Sequence, residues 1–238
     1  MENRSPRWWQ WAHVLSLEAP LVAVAWQLGL ADLHGVQLFP SVVGILGLTV
    51  WWIYALDRTL DAMRAESPAA LEVHHAFYYR NRWIWAGLLL PIGAAGIAWL
   101  AITAIPEGLL WQGMTLGLLA MLYLAAYSAK GMRWSHALLL AIAGLGALVL
   151  IRQMPGGQDF KLTVSLVVIA VLVAVYLRKV DDERRTLLPK PIAAAIIFAL
   201  GCTLANRFFA PWDAGISSRL EELMLVCLFA SNLTGIRA

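Results

Sequence analysis

Long apolar segments follow one another through most of the chain, and they constrain the fold more than any other feature. A helix that crosses a bilayer needs about 20 mostly apolar residues. Of the 238 residues, 61% are hydrophobic and only 14% are charged, whereas a soluble domain is about 25% charged. Since such a chain cannot hide its apolar surface from water, we predict an integral membrane protein. The segments run approximately over Ala12–Ala31, Leu38–Leu56, Trp83–Ile102, Leu109–Tyr127, Ser135–Ile151, Leu162–Leu177, Ile192–Asn206 and Leu220–Ile236.

An all-α fold follows from this pattern. Irregular backbone is not tolerated where it faces lipid, because its N–H and C=O groups find no partners there. We therefore expect a polytopic membrane helix bundle of about eight transmembrane helices. The second and sixth segments both end in acidic clusters, so the single transmembrane domain divides into two weakly related four-helix halves, at about 12–127 and 135–236.

The Lys and Arg residues are divided unequally between the two sides of the predicted bundle. With eight spans, 14 of the 18 fall on the side that holds both termini. Positive residues are concentrated in cytoplasmic loops, so we expect a protein of the inner (cytoplasmic) membrane with both termini in the cytoplasm. The net charge of +3 is modest, and we expect contact with membrane lipids and none with nucleic acid.

The first acidic cluster contains Asp57 and Asp61, which are four residues apart. On a helix they lie on one face, one turn from each other. Like charges at that spacing repel, so a divalent metal ion between them would relieve the repulsion. The alternative interpretation is a solvated helix end, and the pair alone does not decide between the two.

The second acidic cluster, in the loop after the sixth segment, contains Asp181, Asp182 and Glu183. Adjacent carboxylates are hard oxygen ligands that suit Mg²⁺. Basic neighbours such as Arg178 would bind phosphate oxygens or anionic headgroups. An ordinary cytoplasmic loop with balancing acids is the alternative.

Cationic and aromatic residues near these clusters complete the set of candidates. Binding of a metal-bridged diphosphate at a membrane surface needs two acidic arms and cationic donors, and a lipid diphosphate also needs an apolar chamber. The candidate binding residues are Tyr127, Lys130, Arg133, Arg58, His75, Arg80 and Arg82. Glu18, expected inside the first helix beside Pro20, is a functional candidate because ionisable groups are rare there. It would orient an acceptor or accept a proton, or else reach the interface as an ordinary helix-end glutamate.

With these motifs the chain resembles the UbiA superfamily of intramembrane prenyltransferases, from the first segment to about Pro191. The family motif Asn-Asp-x-x-Asp-x-x-x-Asp falls on Ile53-Tyr54-x-x-Asp57-x-x-x-Asp61, so the last two acids match and the first two positions differ. The segment from Tyr127 to Arg133 is similar, with a register shift, to the family's Tyr-x-x-x-Lys-Arg-like loop. The segment from Asp181 to Pro189 is similar to its third, acidic loop in compressed form.

The resemblance implies Mg²⁺-dependent transfer of an isoprenyl group from an isoprenyl diphosphate to a lipophilic acceptor. The acidic loops would hold the metal: Asp57, Asp61, Asp181, Asp182 and Glu183. A UbiA-type terpene cyclase and a non-catalytic, lipid-binding descendant are the alternatives, because Ile53 and Tyr54 replace two family ligands and eight helices replace the usual nine. A transporter would need broken helices and charges at mid-bilayer depth, for which Glu18 is the sole candidate. His75, Arg80 and Arg82 match no family position and form either a phosphate contact or a basic cap on the third helix. If both acidic clusters flank one diphosphate, their carboxylates should lie within about 12 Å of each other, at the mouth of an apolar cavity.

Overall fold

The computed structural model describes residues 11–65, 73–127, 139–147, 151, 190–210, 224–225 and 227–229. In these ranges it contains helices and no β-strand, which confirms the all-α prediction. The labelled helices are α1 (Trp11–Val14), α2 (Glu18–Leu33), α3 (Pro40–Arg64), α4 (Val73–Ile84), α5 (Leu90–Ala104), α6 (Glu107–Tyr127) and α7 (Lys190–Phe209), with a π-helical turn (Trp85–Leu89) between α4 and α5.

Four helical stretches are long and apolar enough to cross a membrane: Pro40–Arg64, Ala76–Ala104, Glu107–Ala125 and Lys190–Phe209. They correspond to the second, third, fourth and seventh predicted segments, and they are compatible with an integral membrane protein. The fifth and eighth segments are described only in part, and the sixth lies outside the described residues. The count of eight spans and the two four-helix halves therefore stay predictions.

The first predicted span, Ala12–Ala31, is wrong as a single helix. The chain breaks after α1 because Ser16 takes a φ of 57°, and the Leu17 N–H donates back to the Ala12 carbonyl at 2.9 Å. This bond and this left-handed residue are typical of a helix C-terminus. We call residues 15–17 the elbow. After it, α2 has only 16 residues, about 24 Å of helix.

Helix α3 begins and ends in a different way from its prediction. Pro40 occupies the first turn, where its missing N–H is not needed, and Phe39 before it is extended. The helix has 25 residues and passes the predicted end at Leu56 to reach Arg64. The acid pair therefore lies within the helix.

The π-helical turn lies just before Pro91. Proline has no N–H, and its ring clashes with the carbonyl one turn earlier, so a locally wider turn accommodates it. Here the Leu90 N–H donates to the Trp85 carbonyl. Trp52 of α3 donates its Nε1–H to the Leu90 carbonyl at 2.7 Å, which ties α3 to this turn.

The chain divides into two compact units: Met1–Pro106 with Ala205–Ala210, and Glu107–Leu204 with Pro211–Ala238. In the first unit α3 is central, since α2, α4 and α5 all pack against it. Its core cluster contains Ala55, Ala62, Tyr78, Trp85 and Leu90. Helix α5 approaches α3 closely at Gly93, where a Cβ would lie 2.8 Å from Trp52 Cδ1. In the second unit, the ring of Phe198 in α7 contacts that of Phe229 with centroids 4.7 Å apart.

Candidate functional site at the end of α3

Most polar side chains in the last turns of α3 lie on one side of the helix. At 3.6 residues per turn, these side chains fall within an arc of about 120°. We call them the polar arc of α3: Tyr54, Asp57, Arg58, Asp61 and Arg64. The adjoining face is apolar or internally bonded and is buried; it contains Ala55, Thr59 and Ala62. The prediction that the acid pair shares one helical face is therefore confirmed.

Both carboxylates of the acid pair are half-buried. Asp61 Oδ1 lies 3.6 Å from Arg64 Nη1, and the two side chains are 33% and 37% exposed. An ion pair this exposed contributes about 0.3–0.5 kcal/mol when it lies within one helix. Such a weak pair yields readily to a more strongly bound cation.

The donor set of the acid pair fits Mg²⁺. This ion is usually held in proteins by one or two carboxylates, while waters and substrate phosphates complete its coordination. Asp57 and Asp61 would supply those two carboxylates. Over the part of the chain that the structure describes, no three His, Cys, Asp or Glu residues come together, so a closed cage made only of protein ligands is not found there.

Arg58 lies at the edge of the polar arc next to the buried face. Its Nε atom is buried and has no hydrogen-bond partner among the described residues. The cation is thus placed between the acid pair and the core of the first unit.

Ser16 and Tyr78 extend this site, and neither was predicted from the sequence. Tyr78 is fully buried and Ser16 is 4% exposed, and their hydroxyl oxygens lie 3.3 Å apart. The Trp51 Nε1–H donates to the Leu15 carbonyl at 3.1 Å, so α3 and α4 both hold the elbow. A signal for Tyr78 existed: Trp85 follows it by seven residues, which places both on one helical face.

The predicted position of Glu18 inside a helix is wrong. It is the first residue of α2, and its side chain is exposed. An acidic residue in the first turn is favoured by the helix dipole, which accounts for a glutamate here without a catalytic role. Its proposed part in orienting an acceptor or accepting a proton stays a prediction.

The basic residues of α4 have two different environments. Arg80 is exposed. The Arg82 guanidinium lies 4.3 Å from the centroid of the Tyr79 ring and 6.0 Å from that of Trp83. Stacking of this kind is typical of a basic anchor at a membrane interface, which was the alternative to a phosphate contact. His75 belongs to α4, but its side chain is outside the described set.

The remaining candidates belong to the second unit or lie outside the described residues. Tyr127 ends α6, with its ring centroid 5.2 Å from that of Tyr123. The candidates outside the described ranges are Lys130, Arg133, Arg178, Asp181, Asp182 and Glu183. Their roles, and the distance of about 12 Å between the two acidic clusters, stay predictions.

An apolar groove of about 520 Å³ lies between α2 and α3. Trp51, the last of the lining residues in the sequence, precedes Asp57 by six residues, or about 9 Å along the helix. The volume is in the range of about 300–1,000 Å³ that is usual for small-molecule pockets. The lining residues are Leu17, Pro20, Leu21, Val24, Gly47, Leu48 and Trp51.

Comparisons with other proteins add no further constraint on this site. The likeness to the UbiA superfamily therefore depends on the motif residues themselves, and of these the structure describes Asp57, Asp61 and Tyr127. Neither a protein-family model, nor a curated protein, nor a solved structure matches the chain.

Proposed function

We propose that the protein is a Mg²⁺-dependent membrane enzyme that transfers an isoprenyl group from an isoprenyl diphosphate to a lipophilic acceptor. The observation that carries the proposal is the acid pair, Asp57 and Asp61, half-buried on one face of a long apolar helix. Charges are costly within a membrane helix, and two like charges one turn apart add repulsion. A divalent cation compensates both effects.

The residues of the polar arc have distinct parts in the proposed reaction. Asp57 and Asp61 would hold the metal ion, whose charge would stabilise the negative charge of a diphosphate leaving group. Arg58 donates to phosphate oxygens. The C–O bond breaks with its electron pair going to the diphosphate, and the allylic carbon then bonds to a nucleophilic carbon of the acceptor, which loses a proton.

Apolar surroundings support a substrate with a hydrocarbon chain. Among the described residues, the side chains that line the groove beside α3 are apolar apart from the Trp51 indole N–H, which is bonded to the elbow. We propose that the protein lies in the inner membrane in an eight-span, UbiA-like bundle with both termini in the cytoplasm, which the distribution of Lys and Arg supports.

Turnover by the purified full-length protein tests the proposal. The protein is incubated in detergent with Mg²⁺ and farnesyl or geranylgeranyl diphosphate, and pyrophosphate release and organic products are measured. Mg²⁺-dependent release with an acceptor present is the expected result. Release that gives a cyclic hydrocarbon without an acceptor would favour the cyclase, and binding without release would favour the non-catalytic descendant. Neither binding nor release would refute the proposal.

A further inference from the structure

Among the residues that the structure describes, two hydrogen-bond donors beside the polar arc meet no acceptor. Two hydroxyls that bond each other use only one of their two O–H hydrogens, so one O–H of the Ser16–Tyr78 pair is not engaged in the bond between them. The second donor is the Arg58 Nε–H, which is buried. Neither donor meets an acceptor within the ranges that the structure describes.

These donors are held in place at some cost in stability. A buried donor without an acceptor loses its hydration and gains nothing in return. Ser16 also takes the left-handed conformation, which is unfavourable for a residue with a Cβ. Strain of this kind persists where the surrounding structure enforces it, and it is concentrated at binding sites. Here the bond from Trp51 to the Leu15 carbonyl enforces it.

The three side chains come from segments that pack against one another: the elbow, α4 and α3. Tyr78 reaches Ser16 directly, and it packs in one cluster with Ala55 and Ala62 of α3. Those two alanines lie one turn before and one turn after Arg58, on the same side of the helix.

We propose that Ser16, Tyr78 and Arg58 form a binding site for phosphate oxygen, separate from the carboxylates that hold the metal. A guanidinium and a neutral hydroxyl donor together match an anionic oxygen, because a hydrogen bond is stronger when its donor or acceptor is ionised. The inference rests on the proposed function in one respect, namely that the anion is a diphosphate. The phosphate headgroup of an anionic lipid has the same chemistry and is the other source.

Binding of inorganic pyrophosphate tests the site without any requirement for turnover. We would titrate pyrophosphate with Mg²⁺ into the full-length protein in nanodiscs of neutral phosphatidylcholine. One hydroxyl can turn to replace the other, so the double variant Ser16→Gly with Tyr78→Phe is decisive. Loss of a hydrogen bond to a charged group should weaken binding about tenfold to a hundredfold. The matched control is Tyr79→Phe. It removes the hydroxyl of the next residue, whose ring lies under Arg82, and it should bind pyrophosphate as the unchanged protein does.

A pair of Ser16 variants separates binding from folding. Glycine adopts a positive φ without strain, so Ser16→Gly should unfold at a higher temperature than Ser16→Ala. Both lose the hydroxyl, so in the Tyr78→Phe background both should bind pyrophosphate equally weakly. If affinity instead follows the unfolding temperature, the hydroxyls have a structural role only and the proposal is overturned.

Nanodiscs with phosphatidic acid distinguish the two sources of phosphate. A loss of pyrophosphate affinity in the double variant supports the diphosphate. If pyrophosphate does not bind, but phosphatidic acid raises the unfolding temperature of the unchanged protein and not of the double variant, the site takes a lipid headgroup. Identical behaviour of both proteins with both probes overturns the inference. If pyrophosphate binding depends on the two hydroxyls but farnesyl diphosphate releases no pyrophosphate, the proposed function is refuted and the phosphate-binding site still holds.

Discussion

Replacing Asp61 with Asn should remove the response to Mg²⁺ while leaving the fold intact. Asp61 lies one turn from Asp57 and 3.6 Å from Arg64. The repulsion within the acid pair costs about 0.2–0.5 kcal/mol, and the exposed ion pair with Arg64 contributes about 0.3–0.5 kcal/mol. Asn removes both effects, so the free energy of unfolding without metal should change by less than about 0.5 kcal/mol.

With metal and pyrophosphate the two proteins should differ clearly. A ligand at a hundred times its dissociation constant stabilises the folded state by about 2.7 kcal/mol. For a chain of this size, that corresponds to a rise of about 5–11 °C in the unfolding temperature. In the proposed metal site the Asn variant loses one of two carboxylate ligands, so most of this rise should disappear, and Mg²⁺-dependent turnover should be abolished.

Tryptophan fluorescence during heating measures the unfolding temperature without metal and its rise with Mg²⁺ and pyrophosphate, because the chain has 12 Trp residues. Each protein is heated in the same detergent at the same rate, with and without Mg²⁺ and pyrophosphate. Asp32→Asn is the matched control, since Asp32 is an exposed carboxylate in the last turns of α2, outside the polar arc. An equal rise in the Asp61 variant and in the unchanged protein, or normal turnover, would remove Asp61 from the metal site.

Three further predictions concern packing and topology. Gly93→Ala places a Cβ 2.8 Å from the bonded Trp52 indole and should lower the free energy of unfolding by about 1–3 kcal/mol; in Gly96→Ala on the same helix, where the space is open, no loss should be measured. Trp52→Phe removes the bond to Leu90 and should lower the free energy of unfolding by about 0.5–1.5 kcal/mol. In the double variant with Gly93→Ala, the loss should be smaller than the sum of the two single losses. Strict additivity would show that the indole does not resist the new methyl group. A reporter fused after Ala238 should be active in the cytoplasm, and activity only outside it would contradict the charge distribution.

Hydrophobicity was enough to locate the long helices but not their ends. The apolar run stops at Leu56, which is therefore the predicted end of the helix. The chain continues as α3 to Arg64 because Asp, Arg, Leu and Ala are all compatible with a helix, and the polar side chains share one arc. Apolar patterning reports the environment of a segment, and it says little about where backbone hydrogen bonding ends.

The elbow was missed for a different reason. Leu15 and Leu17 are apolar, so the hydropathy of the first segment is continuous across the break. A left-handed residue is normally Gly, and Ser16 gives no such signal. The acid and proline in the next turn, Glu18 and Pro20, are typical of a helix start and were the available clue. Without that break, neither the Ser16–Tyr78 contact nor the exposed position of Glu18 could be deduced.

The length of α3 makes the thickness of the host membrane relevant to the acid pair. Its 25 residues extend about 37 Å, against about 30 Å of hydrocarbon. For an upright helix measured from Pro40, Asp57 lies at about 26 Å and Asp61 at about 32 Å, one on each side of the hydrocarbon boundary. A bilayer a few ångströms thicker would draw Asp61 into the acyl region, and a thinner one would hydrate Asp57, while tilting of the helix offsets part of either mismatch. Acyl-chain length therefore sets how much water reaches the two carboxylates.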